Sequence, residues 1–486
     1  MGKREIPVKP AASVKKLAET AESYTFGGAA HSVTPMDLSQ KGYVEEEYLI
    51  AGEAKIYTWP EEQKYASVER ENAKYCSRIV VRKPADPAKF SGNVIVEMFN
   101  WARSYDRPIA VWSNCYEHLM REGDAWVGVT IRGAVIENLK KFDPVRYAEL
   151  SYENPIEPEH RMDRPQSNTF HGDVTDPNLE NGLTWDFYSQ VGILLREDNE
   201  RNPLYGYAVK TIIGTGATAG DLATYVAAID PVSCREDGGP IYDGYLIFMT
   251  GAPGNVNQYE EKVHHLDGRC KFYGKVPLMR VYTCKDMLGV GMHPDWAYMQ
   301  RRNDSDEAGN YYRSYEIAGT GLILKYVHYT EPAHEDVAKM GLQIRNGRTG
   351  AAWSEEDLNT FEFPTRYVLN AQLENLKKWI RSGVNPPSCA PYETVGTYPA
   401  TDLKFDEYGN VMGGVRLPYL EVPAYHFKTD ATAYPLEKEI LDTLYASHED
   451  YVEKVTASAE KCVEERILTQ HDAEEIMEEA ENIEFI

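Results

Sequence analysis

From about residue 90 to residue 330 the chain alternates short, β-rich apolar runs with longer amphipathic ones, and no other feature restricts the fold as much. The apolar runs are NVIVEMF, WVGVTI, KTIIG, YLIFMT, VPLMRVYT and YRSYEIAG. Between them lie patterns of helical period, such as AVWSNCYEHLMRE, WDFYSQVGILLRE and DLATYVAAI. Strands separated by crossover helices predict a mostly parallel central sheet covered by helices on both faces, an α/β fold. Ligands of such sheets sit outside the carboxyl ends of the strands, so the residues that follow each run are the ones to search for function.

The flanking segments fill out this plan. GYVEEEYLIAGEAKIYTW alternates as extra N-terminal antiparallel strands do at a sheet edge. Residues 140–182 are polar, Pro-rich and aperiodic, and read as an inserted, lid-like segment. RYVLNAQLENLKKWIRSG reads as a helix that stops at Gly383, with Pro386 and Pro387 beyond. DEYGNVMGGVRLPYLEVP reads as a hairpin about an Asn/Gly turn. Residues 434–486 are an acidic helical extension, and residues 1–486 read as one large domain.

Composition removes several classes of function. With 76 acidic against 51 basic residues the formal charge is −25, which argues against nucleic acid and anionic membrane as partners. No apolar stretch approaches a membrane span, and the basic start MGKREIPVKPAASVKKLAET has no apolar core of a signal peptide. Seven Cys (76, 115, 234, 270, 284, 389, 462) are scattered without a C-x-x-C pair. That pattern fits buried thiols in a reducing, cytoplasmic setting, and neither a disulfide frame nor a metal site is expected.

GTGATAG, Gly214 to Gly220, stands between the KTIIG run and DLATYVAAI. A dinucleotide loop would need an acid after the next strand, and that strand ends MTGAPGN, so no cofactor is expected. A plain turn, with Gly and Ala admitting close helix–strand packing, accounts for the composition locally. A nucleophile elbow is the third reading.

The chain resembles an α/β-hydrolase domain family whose serine elbow runs G-x-S-Q-S-G-x-x-L-x-x-Y: Gly214, Leu222 and Tyr225 fit that spacing. GNVIVEMFNW, GDAWVGV, FDPVRYAEL, PTRYVLNAQLENLKKWIRSGVNPP and GNVMGGVRLPYLEVP look like its other landmarks. The resemblance implies an α/β-hydrolase fold. It also implies that the three triad positions have been replaced. Gly216 stands at the nucleophile, Cys284 at the acid of a T/S-E-x-D segment (here Thr283-Cys284-Lys285-Asp286), and Leu322 at the histidine of A-G-x-x-H. A serine nucleophile needs a base and a carboxylate to orient that base, so hydrolysis by this route is lost. Two rescues exist. Gly216-Ala217-Thr218-Ala219-Gly220 is a G-x-T-x-G with Thr218 as nucleophile. Alternatively, Cys284 beside Lys285 and Asp286 could act with His293, His328 or His334.

By the same resemblance the backbone at Ala217 and at Asn100, Trp101 and Ala102 would form an oxyanion hole, which survives side-chain loss. Arg103 and Arg132 follow strands, where they would meet a ligand carboxylate or be spent on internal salt bridges. Trp101, Trp112 and Trp185 would line the pocket or fill the core. The expectation is a hydrolase-like protein without triad hydrolysis that keeps a pocket for a small ligand or for non-hydrolytic acid–base chemistry. Its competitors are a carboxylic-ester or amide hydrolase disarmed only at residue 216, and a non-catalytic subunit of an oligomer, formed with itself or with a homologue.

Overall fold

The computed structural model describes residues 5–161, 176–217, 220–249, 253–257, 263, 267–287, 301–321, 325–346, 350–397 and 401–483. They divide into two compact units. One comprises residues 1–278, 307–311 and 326–344, and the other 279–306, 312–325 and 345–486.

Among its described residues the first unit gives the central sheet seven strands, in chain order β1 (Ser13–Leu17), β2 (Tyr43–Thr58), β3 (Ser67–Pro84), β4 (Asn93–Met98), β5 (Ala125–Val129), β6 (Thr211–Ala217) and β7 (Gly244–Phe248). Their order across the sheet is β7-β6-β4-β5-β3-β2-β1. The pairs among β1, β2, β3 and β5 are antiparallel, and those among β5, β4, β6 and β7 are parallel. Every residue of β4, β5, β6 and β7 is buried. Uninterrupted burial is what a parallel strand covered on both faces requires, and it explains why these runs do not alternate. The long β2–β3 ribbon is partly exposed, as expected of the sheet end.

Helix α1 (Trp112–Glu122) is started by the sheet itself. The Glu97 carboxylate of β4, fully buried, accepts the N–H groups of Ala110, Val111 and Trp112 at 2.8, 3.2 and 2.9 Å, and Trp126 Nε1 at 2.8 Å. Four donors take up the acceptor capacity of that carboxylate and satisfy N–H groups that a helix start leaves without intrahelical partners. Helix α2 spans Gly133–Phe142, and α3 (Leu183–Leu194) is buried nearly all round. Of the 140–182 insertion, residues 162–175 lie outside the described set.

The second unit holds the parallel pair β8 (Leu278–Thr283) and β9 (Arg313–Ile317), the long helix α4 (Thr365–Ser382), and the C-terminal helices α5 (Lys438–Leu444), α6 (His448–Glu464) and α7 (Gln470–Asn482). Gly383 ends α4 at φ 64°, the left-handed stop that a glycine there predicts. The expected hairpin is reduced to a turn. Asp406 and Asn410 close it around Gly409 (φ 84°), a single bridge joins Phe405 to Val411, and Pro418 then starts a short helix. Among the described residues no helix is long and apolar enough to cross a membrane.

A buried ion cluster ties the first unit together. Arg78 of β3 donates to Glu47 of β2 at 2.6 Å and to Asp106, in the loop after β4, at 3.1 Å; Arg146 donates to Glu47 at 2.7 Å. Arg78 and Glu47 are 0% and 1% exposed, so neither charge is relieved by water. Removing one member strands the others, which costs about 3–5 kcal/mol. Arg78→Leu should therefore lower the unfolding free energy in urea by that amount. A loss under about 1 kcal/mol, the range of an exposed pair, would show that the cluster is not desolvated.

Candidate functional site

The glycines of GTGATAG have distinct physical reasons. Gly214, Thr215 and Gly216 are ordinary members of β6, facing Val96, Glu97 and Met98 of β4 and Tyr245, Leu246 and Ile247 of β7. A Cβ on Gly214 would strike the Tyr245 ring at 2.7 Å and Tyr188 Oη at 2.9 Å. On Gly216 it would lie 3.2 Å from Leu222 Cβ. Gly220 has φ 77°, a left-handed conformation that glycine adopts without penalty, immediately before the helix Asp221–Thr224. Gly216 lies within the extended ladder, one residue before the end of its described pairing with β7. Thr218 lies outside the described residues, as do Leu322 and His293.

Around the carboxyl ends of β4, β5 and β6 the structure gathers Asn100, Trp101, Ala102, Arg132 and Ala217. Asn100 Nδ2 donates to the Ala217 carbonyl at 3.3 Å. The Asn100 N–H donates to the Arg107 carbonyl at 2.9 Å, and the Ala102 N–H to Asn100 Oδ1 at 3.3 Å. Two of the backbone donors expected of an oxyanion hole are therefore engaged within the protein. Arg132 is spent internally. It forms an ion pair with Asp221, which also accepts Trp101 Nε1 at 2.7 Å, and its guanidinium lies 4.7 Å from the Trp101 ring centroid. Burial raises the Asp221 carboxyl above its usual range, with Arg132 opposing. Asp106, in the same loop as Arg103, pairs instead with Arg78. Arg103 is half-buried beside Ser104, which takes φ 61°. Trp112 is core, with Arg82 stacked 4.2 Å from its centroid, and Trp185 is core as well.

In the other unit, Cys284 and Asp286 follow β8. Cys284 is fully buried, its Sγ 3.6 Å from the Ile317 carbonyl and 3.7 Å from Tyr392 Oη, and burial pushes the thiol up to about 11. A neutral, enclosed thiol is a packing group and not a nucleophile. Asp286 folds back on its own strand end, accepting Thr283 N–H at 2.7 Å and Thr283 Oγ1 at 2.9 Å. Burial raises its carboxyl to about 7 despite those donors.

The sequence considered His328 only as a partner for Cys284. The structure gives it another. His328 Nδ1 lies 3.3 Å from Glu331 Oε2, and the opposite oxygen of that carboxylate receives Arg107 Nη1 at 3.3 Å and Tyr105 Oη at 3.4 Å. Arg107 Nη2 donates in turn to Asn100 Oδ1 at 2.7 Å. A continuous chain of hydrogen bonds thus runs from Ala217, the last residue of β6, through Asn100, Arg107 and Glu331 to His328. The H-Y-T-E spacing was the available signal. Nothing in the sequence marked Arg107, more than two hundred residues away. His334 is exposed, its ring 5.8 Å from that of His328.

Two measurements check these environments. Cys284 should resist iodoacetamide in the folded protein and react on unfolding; rapid native labelling would contradict its burial. Asp286 has an unfolded reference of 3.8 and a folded value of about 7. As pH rises from about 4 to about 7 the unfolded chain releases this proton while the folded chain keeps it, so the group subtracts stability over that window and no more above it. The unfolding free energy of wild type relative to Asp286→Asn should fall across that window, and a flat difference would refute the shift.

A family model described as an alpha/beta hydrolase domain matches residues 9–478. Among solved structures, the apo form of Thermogutta terrifontis esterase 2 is 13% identical, covering 60% of this chain and 97% of its own, with a TM-score of 0.27. Esterase Est22 is 12% identical over 60% of this chain and 80% of its own, with a TM-score of 0.28. No curated protein sequence matches the chain. On the family match, which spans nearly the whole sequence, this chain belongs to the alpha/beta hydrolase domain family.

Proposed function

We propose that this alpha/beta hydrolase has lost Ser-His-acid hydrolysis and uses the carboxyl ends of its central strands to hold a small ligand or to run acid–base chemistry that needs no covalent serine. The observation that carries the reading is Gly216. It has no side chain, sits in regular strand geometry, and has Leu222 Cβ 3.2 Å from where a Cβ would be. Cys284, at the acid position implied by resemblance, is a buried neutral thiol. Leu322, at the histidine position, carries no titratable group. In the unit that carries the central strands, His328 beside Glu331 is the group left for acid–base work. Arg132 is committed to Asp221, which removes it as a clamp for a ligand carboxylate.

One observation favours a second reading, a working ester hydrolase. Gly216-Ala217-Thr218-Ala219-Gly220 spells the G-x-T-x-G of a nucleophile elbow, with Thr218 at its centre. A fluorophosphonate probe and p-nitrophenyl acetate distinguish the two. The chain as it stands should take up no probe and show no ester turnover above buffer. Labelling at Thr218 would establish the ester hydrolase instead. Gly216→Ser should also stay inactive and lose about 1–3 kcal/mol of stability from crowding against Leu222. Turnover by Gly216→Ser would show that a competent base and acid already serve that position.

A further inference from the structure

The second unit contains a groove of about 520 Å³ between the last helix, α7, the short helix Pro418–Glu421, the strand Tyr425–Phe427 and the chain just before α4. That volume is in the range of small-molecule sites. Its apolar lining is aromatic, formed by Phe361, Tyr419 and Tyr425. The Phe361 ring centroid lies 6.0 Å from that of Tyr419 and 5.2 Å from that of Tyr425, so the three rings make one contiguous surface. Facing them is one side of α7. Glu475, Glu478 and Glu479 stand there at i, i+3 and i+4, where like charges are neighbours and repel. The last turn of α7 has no basic residue, so the partial negative charge of the helix carboxyl end adds to theirs.

Glu479 separates this groove from an ordinary acidic surface. It is half-buried, and its two oxygens accept Tyr419 Oη at 2.5 Å and Tyr367 Oη at 3.3 Å. Burial pushes both phenols up, so they remain neutral donors that orient the carboxylate without cancelling its charge. Glu475 has counter-charges, with Arg366 at 3.9 Å and His471 at 3.3 Å. Glu478 and Glu479 pair with no Lys, Arg or His among the described residues. The carboxylates fixed inside the first unit differ in this respect: Glu47, Asp221 and Glu331 each meet a guanidinium. An acid kept for solubility turns to water, whereas Glu479 is fixed against aromatic rings. Its charge reaches the far wall, where burial first and Glu479 second raise the Tyr425 phenol. Arg366 also lines the groove, but it is held by Glu475 and by Tyr367, whose Oη is 2.8 Å away. An aromatic surface beside an uncompensated carboxylate attracts cations and repels anions.

We propose that this groove binds a small organic cation, an ammonium head on an apolar stem, with the head at Glu479 and Glu478 and the stem against Phe361, Tyr419 and Tyr425. The head supplies the positive charge that α7 lacks. The stem covers ring surface that would otherwise face water. No bond is made or broken, so the groove is a binding site and not a second reaction centre. It stands apart from the function proposed above and does not rest on it.

Titration calorimetry of the intact chain near neutral pH tests the site with three probes. Phenethylammonium has both stem and charge, 2-phenylethanol the stem alone, and methylammonium the charge alone. Phenethylammonium should bind saturably at one site, and each of the other two about tenfold more weakly or not at all. Glu479→Gln should weaken phenethylammonium about tenfold, and its amide oxygen still accepts a phenol, so the fold should hold. Glu478→Gln alters an exposed side chain and should cost about threefold, which decides the matter should Glu479→Gln fail to fold. Absence of saturable phenethylammonium binding overturns the proposal. So does methylammonium binding as tightly, which would reveal only an acidic surface, or 2-phenylethanol binding as tightly, which would reveal only an apolar groove. Binding undiminished in the folded glutamine variants overturns it as well.

Discussion

Two consecutive residues in the loop after β4 carry opposite charges into the interior, and the site depends on both being matched. Asp106 is held by Arg78 at 3.1 Å, and Arg107 lies 3.3 Å from Glu331. Both are 2% exposed. A buried charge without a partner would cost more than the loop could recover from packing, so the loop has one permitted path. That path sets Asn100 against the Ala217 carbonyl, places Trp101 on Asp221, and brings the 326–344 segment to its partners. Glu97 performs the same office next door, where it fixes the first turn of α1 from within β4.

The cation that sequence position recommended as a ligand clamp illustrates how such a scaffold consumes charge. Arg132 follows β5 and stacks on Trp101, yet its charge is neutralised by Asp221 at the start of the helix after β6. The pair braces the strand-to-helix turn. In a chain this acidic, an arginine that reaches the interior finds a carboxylate there before any ligand arrives. The same economy leaves the titratable groups of greatest chemical interest elsewhere: a carboxyl raised to about 7 at Asp286, and an imidazole held by Glu331.

Much of the fold was readable because period and burial are local properties. NVIVEMF, WVGVTI and YLIFMT became fully buried strands close to their expected limits, and the stop at Gly383 followed from a residue that takes positive φ freely. Two expectations failed, for opposite reasons. GTGATAG reads as a turn from Gly214 onward, because glycine and alanine are poor strand formers in isolation. Pairing with β4 and β7 recruits Gly214 to Ala217 into the ladder, where lack of side chains is an advantage beside Tyr245, Tyr188 and Leu222. Tertiary context overrode propensity there. The hairpin expected near residue 409 shrank for the converse reason: its turn chemistry was right, but Pro418 diverted the returning arm into a helix.

By itself the sequence determined the class of fold, the order of strands and helices, and the chemical fact that residues 216, 284 and 322 are Gly, Cys and Leu. Those follow from composition and spacing along one chain. Only the tertiary structure decided which charges meet. Arg78 joins Glu47 and Asp106, Arg132 joins Asp221, and Arg107 joins Glu331 and through it His328. Apart from the Glu331–His328 step these partners are remote in sequence, and the pairing energy exists only once folding has removed the water that would otherwise screen each charge.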